Sequence, residues 1–398
     1  MKAAAAHTPG VSALTATGQV AASGRLRRLT IFLADLGGGG AERMMVALAN
    51  GLSGRGITVD LLLARATGPY LDEVDPGVDV TDLRARGVIA SLPALIKHLR
   101  QVKPDLLLTT LPHASAVALV ARGLAGTSTP VVVREANTPT AESGSWSSFK
   151  DRTADRIMRY AYRSADGVIA VSDGVAEALM RVVGLPATKI AILYNPVVTA
   201  EIPSLAAVDP GHPWLGAGQP PVVLGVGSLS KRKDFFTLIR AFALVAAKRE
   251  VRLIILGEGP ERAGLENLVA ELGLGDLVAL PGFDANPFSY MNRAAVYVLS
   301  SNLEGLPGSL IQALACGCPS VATDCPSGPA EILQGGRLGP LVPVGDERAM
   351  AAAIEDQLDN PTKRRSLIDG VAKYDAATVL DAVTTYLAEI SSRRRRAS

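Results

Sequence analysis

At 398 residues and a net charge of +2, the chain is too long for one ordinary core and too nearly neutral for a nucleic-acid-binding protein. It is 48% hydrophobic but only 4% aromatic, with the apolar share carried by Ala, Val and Leu, which favours helices and parallel strands over a β-sandwich. No apolar run reaches the length of a membrane-spanning helix.

Residues 1–24 are rich in Ala, Thr, Ser and Gly, lack periodicity and lack the apolar core of a signal peptide, so they read as a disordered extension. Leu29–Leu33 is the first predicted strand. Four glycines follow, Gly37, Gly38, Gly39 and Gly40, and then a helix from Ala41 with Met45, Leu48, Ala49 and Leu52 inward. Strand, glycine loop and helix N-terminus together bring unpaired N–H groups close to a ligand, with Glu42 and Arg43 beside them. The dinucleotide fingerprint is not met, because the last position of Gly-x-Gly-x-x-Gly falls on Glu42. Further strands are expected at Ile57–Leu63, Asp105–Thr110, Pro130–Arg134, Gly167–Val171 and Ile190–Leu193. Helices are expected at Ser91–Val102, Ala114–Leu124, Ile157–Ala165 and, behind a Ser172 cap, Gly174–Val183. His113 and Glu135 fall just past strand C-terminal ends, the edge where open α/β sheets hold ligands.

The proline-rich stretch 197–220 reads as a linker. Alternation restarts at Val222–Val226, followed by the basic loop Gly227–Asp234 and a helix from Phe235 to Lys248. Arg252–Leu256, Val278–Leu280 and Val296–Ser300 are the next strands, and Gly257-Glu258-Gly259-Pro260 is a tight turn between them. Helices are expected up to Leu272 and at Asn286–Arg293. From Ser300 to Leu333 the chain reads as a strand end, the loop Glu304–Ser309, a helix with Leu310, Ile311 and Leu314 inward, and a buried strand at Pro319–Thr323. Helices close the chain at Glu347–Leu358, Ser366–Lys373 and Leu380–Ile390, before four arginines, Arg393–Arg396. These predict an α/β chain of two doubly wound, Rossmann-like domains, 25–196 and 221–374, with a ligand cleft between them. A C-terminal helix over 375–392 would pack back on the first domain, and 393–398 would form a basic tail.

The charge is uneven, roughly +5 over the first 200 residues and roughly −3 over the rest. Arg152, Arg156, Arg159 and Arg163 share one helical face, as an anionic membrane surface would require. Cys316, Cys318 and Cys325 lie close together in apolar context, which argues for free thiols in a reducing compartment and against a zinc site. The residues that suit a diphosphate-bearing ligand are Lys233, with Arg232 beside it, and the backbone N–H groups of Gly308, Ser309 and Leu310. Glu304 suits hydroxyls of a sugar or ribose.

The motifs GGGGAERMMVALANGL, VGSLSKRKDFFTLIRAF with LIILGEGPER, and SSNLEGLPGSLIQALACGCPSVATDCPSGPAEIL resemble those of the family 4 glycosyltransferases of the GT-B fold, over nearly the whole chain. The resemblance implies a retaining, metal-independent, cofactor-free enzyme that moves a sugar from a nucleotide-diphosphate sugar. The acceptor implied is a glycan or lipid-linked molecule in cell-envelope polysaccharide, lipopolysaccharide or glycolipid synthesis. It also implies an acceptor-binding first domain and a nucleotide-sugar-binding second domain in a cytoplasmic protein, and the basic bias of the first half points to peripheral contact with an anionic membrane. Donor-binding positions fall on Ser228, Arg232, Lys233, Gly257, Glu258, Glu304, Gly305, Leu306, Pro307, Gly308, Ser309, Leu310 and Gln312; the acceptor or phosphate loop falls on Gly38, Gly39, Gly40, Glu42 and Arg43. Lys233 and Glu304 carry the catalytic positions, and His113 and Glu135 are candidates for a general base. The family's paired glutamates, eight positions apart, fall on Glu304 and Gln312, and its Arg of Arg-x(4)-Lys falls on Ser228. Its histidine after the strand ending at Arg134 is Ala136 here. The alternatives are an epimerase or phosphorylase on the same fold, or a catalytically weak sugar-nucleotide binder.

Overall fold

Segments such as Leu29-Thr30-Ile31-Phe32-Leu33 and Leu253-Ile254-Ile255-Leu256 are apolar on both faces, as a strand covered by helices on both sides must be. In the computed structural model, which describes residues 26–37, 39–139, 159 and 161–397, such segments form two all-parallel sheets. The expected extension, Gly38, Arg152 and Arg156 lie outside the described residues. One unit takes the described residues up to Tyr194 together with those from Val379 onward; the other is Asn195–Thr378.

The first unit contains β1 (Arg28–Leu33), β2 (Thr58–Leu63), β3 (Val78–Asp82), β4 (Leu106–Thr110), β5 (Val131–Glu135), β6 (Gly167–Ala170) and β7 (Ile190–Ile192). Their order is β3-β2-β1-β4-β5-β6-β7. Helices α1 (Gly40–Ser53), α2 (Leu92–Val102), α3 (Pro112–Ala125) and α4 (Asp173–Ala178) make the crossovers. The Ser172 hydroxyl caps α4 by accepting from Val175 N at 3.3 Å. The direction of winding reverses between β1 and β4, so the loops after those strands flank a topological switch point. Strand β3 escaped the sequence reading because its VDVTD run is exposed after its first residue. An acidic edge strand has no two-sided apolar signal and is protected from further pairing by its charges.

The second unit begins inside the expected linker. Helix α5 (Ile202–Ala207) buries Ile202 and Ala206, and its carbonyls are taken by side chains. Asn286 Nδ2 donates to Leu205 O at 2.9 Å, Asn292 Nδ2 to Ala206 O at 3.0 Å and Arg293 Nη2 to Ala207 O at 3.4 Å, with Arg293 Nη1 on Val208 O, just past the helix, at 2.8 Å. The first part of 197–220 is therefore folded into this unit instead of bridging two domains. The sheet follows with β8 (Val222–Val226), β9 (Arg252–Leu256), β10 (Val278–Gly282), β11 (Val296–Leu299), β12 (Ser320–Thr323) and β13 (Leu341–Val342), in the order β10-β9-β8-β11-β12-β13. Its helices are α6 (Phe235–Ala246), α7 (Arg262–Glu271), α8 (Pro287–Met291), α9 (Gly308–Ala315), α10 (Pro329–Ile332), α11 (Glu347–Asp359) and α12 (Arg364–Gly370). Leu238, Phe242 and Val245 of α6 and Met350 and Ile354 of α11 share one core with Val223, Leu253, Ile255 and Val298. The switch point here lies between β8 and β11. The two strands are in register only at Val223↔Val296 and Leu224↔Tyr297, so they part before their C-terminal ends.

The last helix, α13 (Ala376–Ala397), is longer than the sequence suggests and runs through the four arginines. From Val379 it belongs to the first unit, where Leu380, Val383, Leu387 and Ile390 join the core of β1, β2 and α1. Each such side chain contributes about 1.5–3 kcal/mol by leaving water. Close approach depends on Gly51, since a Cβ there would meet Leu380 Cδ1 at 2.5 Å.

Candidate functional site

Two loops leave the second unit's sheet at its switch point, one after β8 and one after β11. Ser300 Oγ donates to Lys233 O at 2.7 Å, Asn302 N to Arg232 O at 2.8 Å and Asn302 Nδ2 to Lys231 O at 3.2 Å, so the second loop holds three successive carbonyls of the first. Their two key side chains meet. Lys233 Nζ lies 2.5 Å from Glu304 Oε1, with only 11% and 7% of the side chains exposed. The lysine stem folds over Gly227, where a Cβ would lie 3.2 Å from Lys233 Cε. Burial pushes the Glu304 carboxyl up, but the charge and hydrogen bond of Lys233 and the charge of Arg232 outweigh it and hold the group below the usual carboxylate range. An ammonium and a carboxylate thus sit at the strand C-terminal edge, where parallel sheets bind ligands.

The Gly257–Gly259 turn supports this arrangement from the β9 side. Leu229 N donates to Glu258 O at 2.8 Å and Glu261 N to Leu229 O at 2.9 Å. Gly257 has φ of 144°, and a Cβ there would fall 1.9 Å from Gly227 O. The Glu258 carboxylate turns away to Arg262, whose Nη2 and Nε lie 2.7 and 2.8 Å from its two oxygens. That pairing holds its carboxyl below the usual range.

The loop Gly305-Leu306-Pro307 is buried. It leads into α9, whose first turn no side chain caps, so the N–H groups of Gly308 and Ser309 have no acceptor within the helix. Leu310 N, the third of the expected phosphate donors, donates to Pro307 O at 3.2 Å. Gly308, Ser309 and Gln312 lie on the half-exposed face of α9, while Leu310, Ile311, Ala313 and Leu314 are buried. Tyr297 OH donates to Ser309 Oγ at 2.8 Å and fixes that hydroxyl. Ser228 is exposed, its Oγ 3.2 Å from Ser230 Oγ, and Arg232 is exposed beside Lys233.

In the first unit, Gly39 and Gly40 open α1, and Glu42 folds back over Gly39, where a Cβ would meet its Oε2 at 2.3 Å. Arg43 lies 5.8 Å from the Tyr70 ring and 3.5 Å from Glu73. His113 is exposed in the first turn of α3. Before it, Leu111 adopts φ of 68°, an uncommon conformation for a branched side chain. Glu135 ends β5 in a different state. It is buried, accepts from Tyr162 OH and from Asn137 N, and burial raises its carboxyl above the usual range.

The sequence reading did not single out Ser300, Asn302, Tyr297 or Gly227 as supports. Their one available signal was position, immediately around the ends of β8 and β11. Cys316, Cys318 and Cys325 are buried free thiols, and burial pushes Cys316 up to about 12 and Cys325 up to about 11. Among the described residues, no group of three or more His, Cys, Asp or Glu side chains is placed to hold a metal, and no helix is long and apolar enough to cross a membrane.

Two Rossmann-like units in one chain, each wound about a switch point, are the plan of the GT-B fold. Structural likeness agrees: the Anabaena protein HepE in complex with UDP superposes with a TM-score of 0.76 at 22% identity, covering 91% of this chain and all of that one. The family described as Glycosyltransferase Family 4 matches residues 38–201, and that described as Glycosyl transferases group 1 matches residues 214–374. The N-acetylgalactosamine-N,N'-diacetylbacillosaminyl-diphospho-undecaprenol 4-alpha-N-acetylgalactosaminyltransferase of Campylobacter jejuni is 30% identical over 357 residues, covering 86% of this chain and 93% of that protein. The lipopolysaccharide core biosynthesis glycosyltransferase LpsE of Rhizobium meliloti is 28% identical over 362 residues, covering 88% of this chain and 96% of its own. The chain belongs to the family 4 glycosyltransferases.

Proposed function

We propose that this glycosyltransferase takes its sugar from a nucleoside-diphosphate donor bound by the second unit and transfers it with retention, without a metal ion. The acceptor is a glycan or lipid-linked diphosphate carried by the first unit, and the setting is cell-envelope polysaccharide or lipopolysaccharide assembly at the cytoplasmic face of the membrane. The names of the relatives support the setting: one acts on an undecaprenyl diphosphate glycan and another in lipopolysaccharide core synthesis. The observation that carries the reading is the buried Lys233–Glu304 pair at the switch point.

In this reading the donor diphosphate draws on Lys233 and on the N–H groups of Gly308 and Ser309. The bond from the anomeric carbon to the diphosphate oxygen breaks on the same face on which the acceptor oxygen bonds. The acceptor proton passes to the departing phosphate, so no protein base is required. The protein's largest contribution is electrostatic, since charge grows on the diphosphate as the bond breaks. Glu304 is placed to accept hydroxyls of the transferred sugar, and Gln312 offers both donor and acceptor to the ribose.

The test is a thermal-shift screen with UDP-, GDP-, ADP- and TDP-sugars, followed by transfer assays with a chelator present and NMR of the product anomer. One donor class is expected to raise the melting temperature. Lys233→Ala and Glu304→Ala are expected to abolish turnover, whereas Gln312→Ala raises the donor KM more than it lowers kcat. Full transfer by both lysine and glutamate variants, or an inverted product anomer, would sink the mechanism.

A further inference from the structure

A polar cavity lies at the opposite edge of the first unit's sheet, far along the strands from the switch point. It has a volume of about 430 Å³ and opens where β4 and β5 begin. Its lining includes Lys103, Asp105, Thr127, Ser128, Ser391 and Arg394. Two cationic side chains, one carboxylate and four hydroxyl side chains line it, of which the Thr129 hydroxyl is taken by Pro104 O at 3.3 Å.

That carboxylate is largely satisfied. Asp105 Oδ2 accepts from Arg27 N at 2.7 Å and from Arg28 N at 3.0 Å. Arg394 reaches Asp166 at 3.1 Å, but Asp166 is already shared with Arg122 at 2.6 Å and with Val131 N at 2.8 Å. Helix C-termini would ordinarily repel an anion. Here Arg100 covers the end of α3, donating to Leu124 O at 2.8 Å and Ala125 O at 3.2 Å. The buried Thr127 Oγ1 has no hydrogen-bond partner among the described residues, an uncommon condition for a buried hydroxyl. Arg393 and Arg396 stand exposed on the same end of α13. Excess positive charge, hydroxyl donors and an unsatisfied buried oxygen favour an anion with hydroxyls of its own.

We infer that this cavity is a phosphate-ester site, separate from the donor site, in which Lys103 and Arg394 hold the phosphate and the hydroxyls of Thr127, Ser128 and Ser391 hold the rest. It gives the basic end of α13 a specific ligand in place of diffuse charge. A soluble sugar or glycerol phosphate and an anionic lipid headgroup present the same chemistry.

The experiment uses the full chain carrying Lys233→Ala, which removes the phosphate-binding lysine of the donor site. Glycerol 1-phosphate is titrated by calorimetry, and sedimentation is followed with phosphatidylcholine vesicles with and without phosphatidylglycerol. Saturable binding of the soluble ester, or sedimentation with phosphatidylglycerol vesicles, is expected. Ser128→Asp, at an exposed position that spares every ion pair, is expected to weaken it by about tenfold or more, as Lys103→Ala does. The Arg393→Ala, Arg396→Ala double variant, which loses charge outside the cavity, is expected to stay within about twofold on the soluble ester. Soluble-ester binding that Ser128→Asp removes identifies a free phosphate ester; vesicle binding alone with the same sensitivity identifies the lipid. No binding of either probe, binding that ignores Ser128→Asp, or equal loss in the Arg393/Arg396 variant overturns the site.

Discussion

Replacing Lys233 with Ala leaves the Glu304 carboxylate buried, with 7% of its side chain exposed and its 2.5 Å partner gone. Breaking a buried pair in this way costs about 3–5 kcal/mol. For a unit of this size each kcal/mol lowers the melting temperature by roughly 2–4 °C, so the fall is roughly 6–20 °C. The loss depends on pH, and its sign follows from the two environments. In the native protein the carboxyl is held below its unfolded value, so it contributes stability that is present above that value and lost as pH falls through the folded pKa. Without Lys233, burial dominates and the carboxyl moves up. It then costs stability as pH rises through the unfolded value, and below that range it is neutral and costs little. The deficit of Lys233→Ala is therefore expected to be large at about pH 8 and to shrink at about pH 5, towards the ~1 kcal/mol of a lost hydrogen bond. Adding Glu304→Gln removes the stranded charge and restores most of the stability at about pH 8, while transfer stays down by about 100-fold or more. Calorimetric melting of the wild-type protein, Lys233→Ala, Glu304→Gln and the double variant at both pH values checks this, with transfer rates measured beside it. A deficit equal at both pH values, with no recovery in the double variant, would refute the reasoning.

Two further outcomes follow from the same geometry. Gly257→Ala places a Cβ 1.9 Å from Gly227 O at a φ of 144°, so a stability loss of about 3 kcal/mol is expected, and denaturant melts should show it. Because Gly227 lies under the Lys233 stem, the same variant is expected to weaken donor-induced stabilisation. Tyr162→Phe removes a hydrogen bond that lowers the Glu135 pKa, which burial already holds high. The cost of the ionised carboxylate rises further, so a loss of about 1–3 kcal/mol is expected at about pH 8 and a smaller one at about pH 5, by the same melts.

Local signals were strong where an element declares itself alone. The two-sided apolar strands, the glycine loops, the Ser172 cap and the buried cysteines all follow from residue type and spacing. Signals were weak where a contact with a distant segment supplies the stability. Prolines at 203, 210 and 213 suggest a linker, yet α5 forms because Asn286, Asn292 and Arg293 satisfy its carbonyls. The pairing of Glu258 with Arg262, one helical turn ahead, is likewise not evident from the turn that carries the carboxylate. The four arginines looked like a free tail, yet α13 continues through them because its apolar stripe is anchored in the first unit's core.

The amino-acid order by itself determined two βα-repeating halves and placed Lys233 and Glu304 in loops after strands. Only the tertiary structure decided that they touch. They lie 71 positions apart. Their meeting depends on β8 pairing with β11 across the switch point, a long-range choice that local propensity does not encode. It also decided that Glu304 remains a carboxylate while Glu135, equally buried, is pushed the other way. The difference is the neighbour: the Lys233 ammonium hydrogen-bonds to Glu304 directly, whereas Glu135 takes its hydrogen bonds from a phenol and a backbone N–H and feels Arg134 only through space, which does not offset its burial.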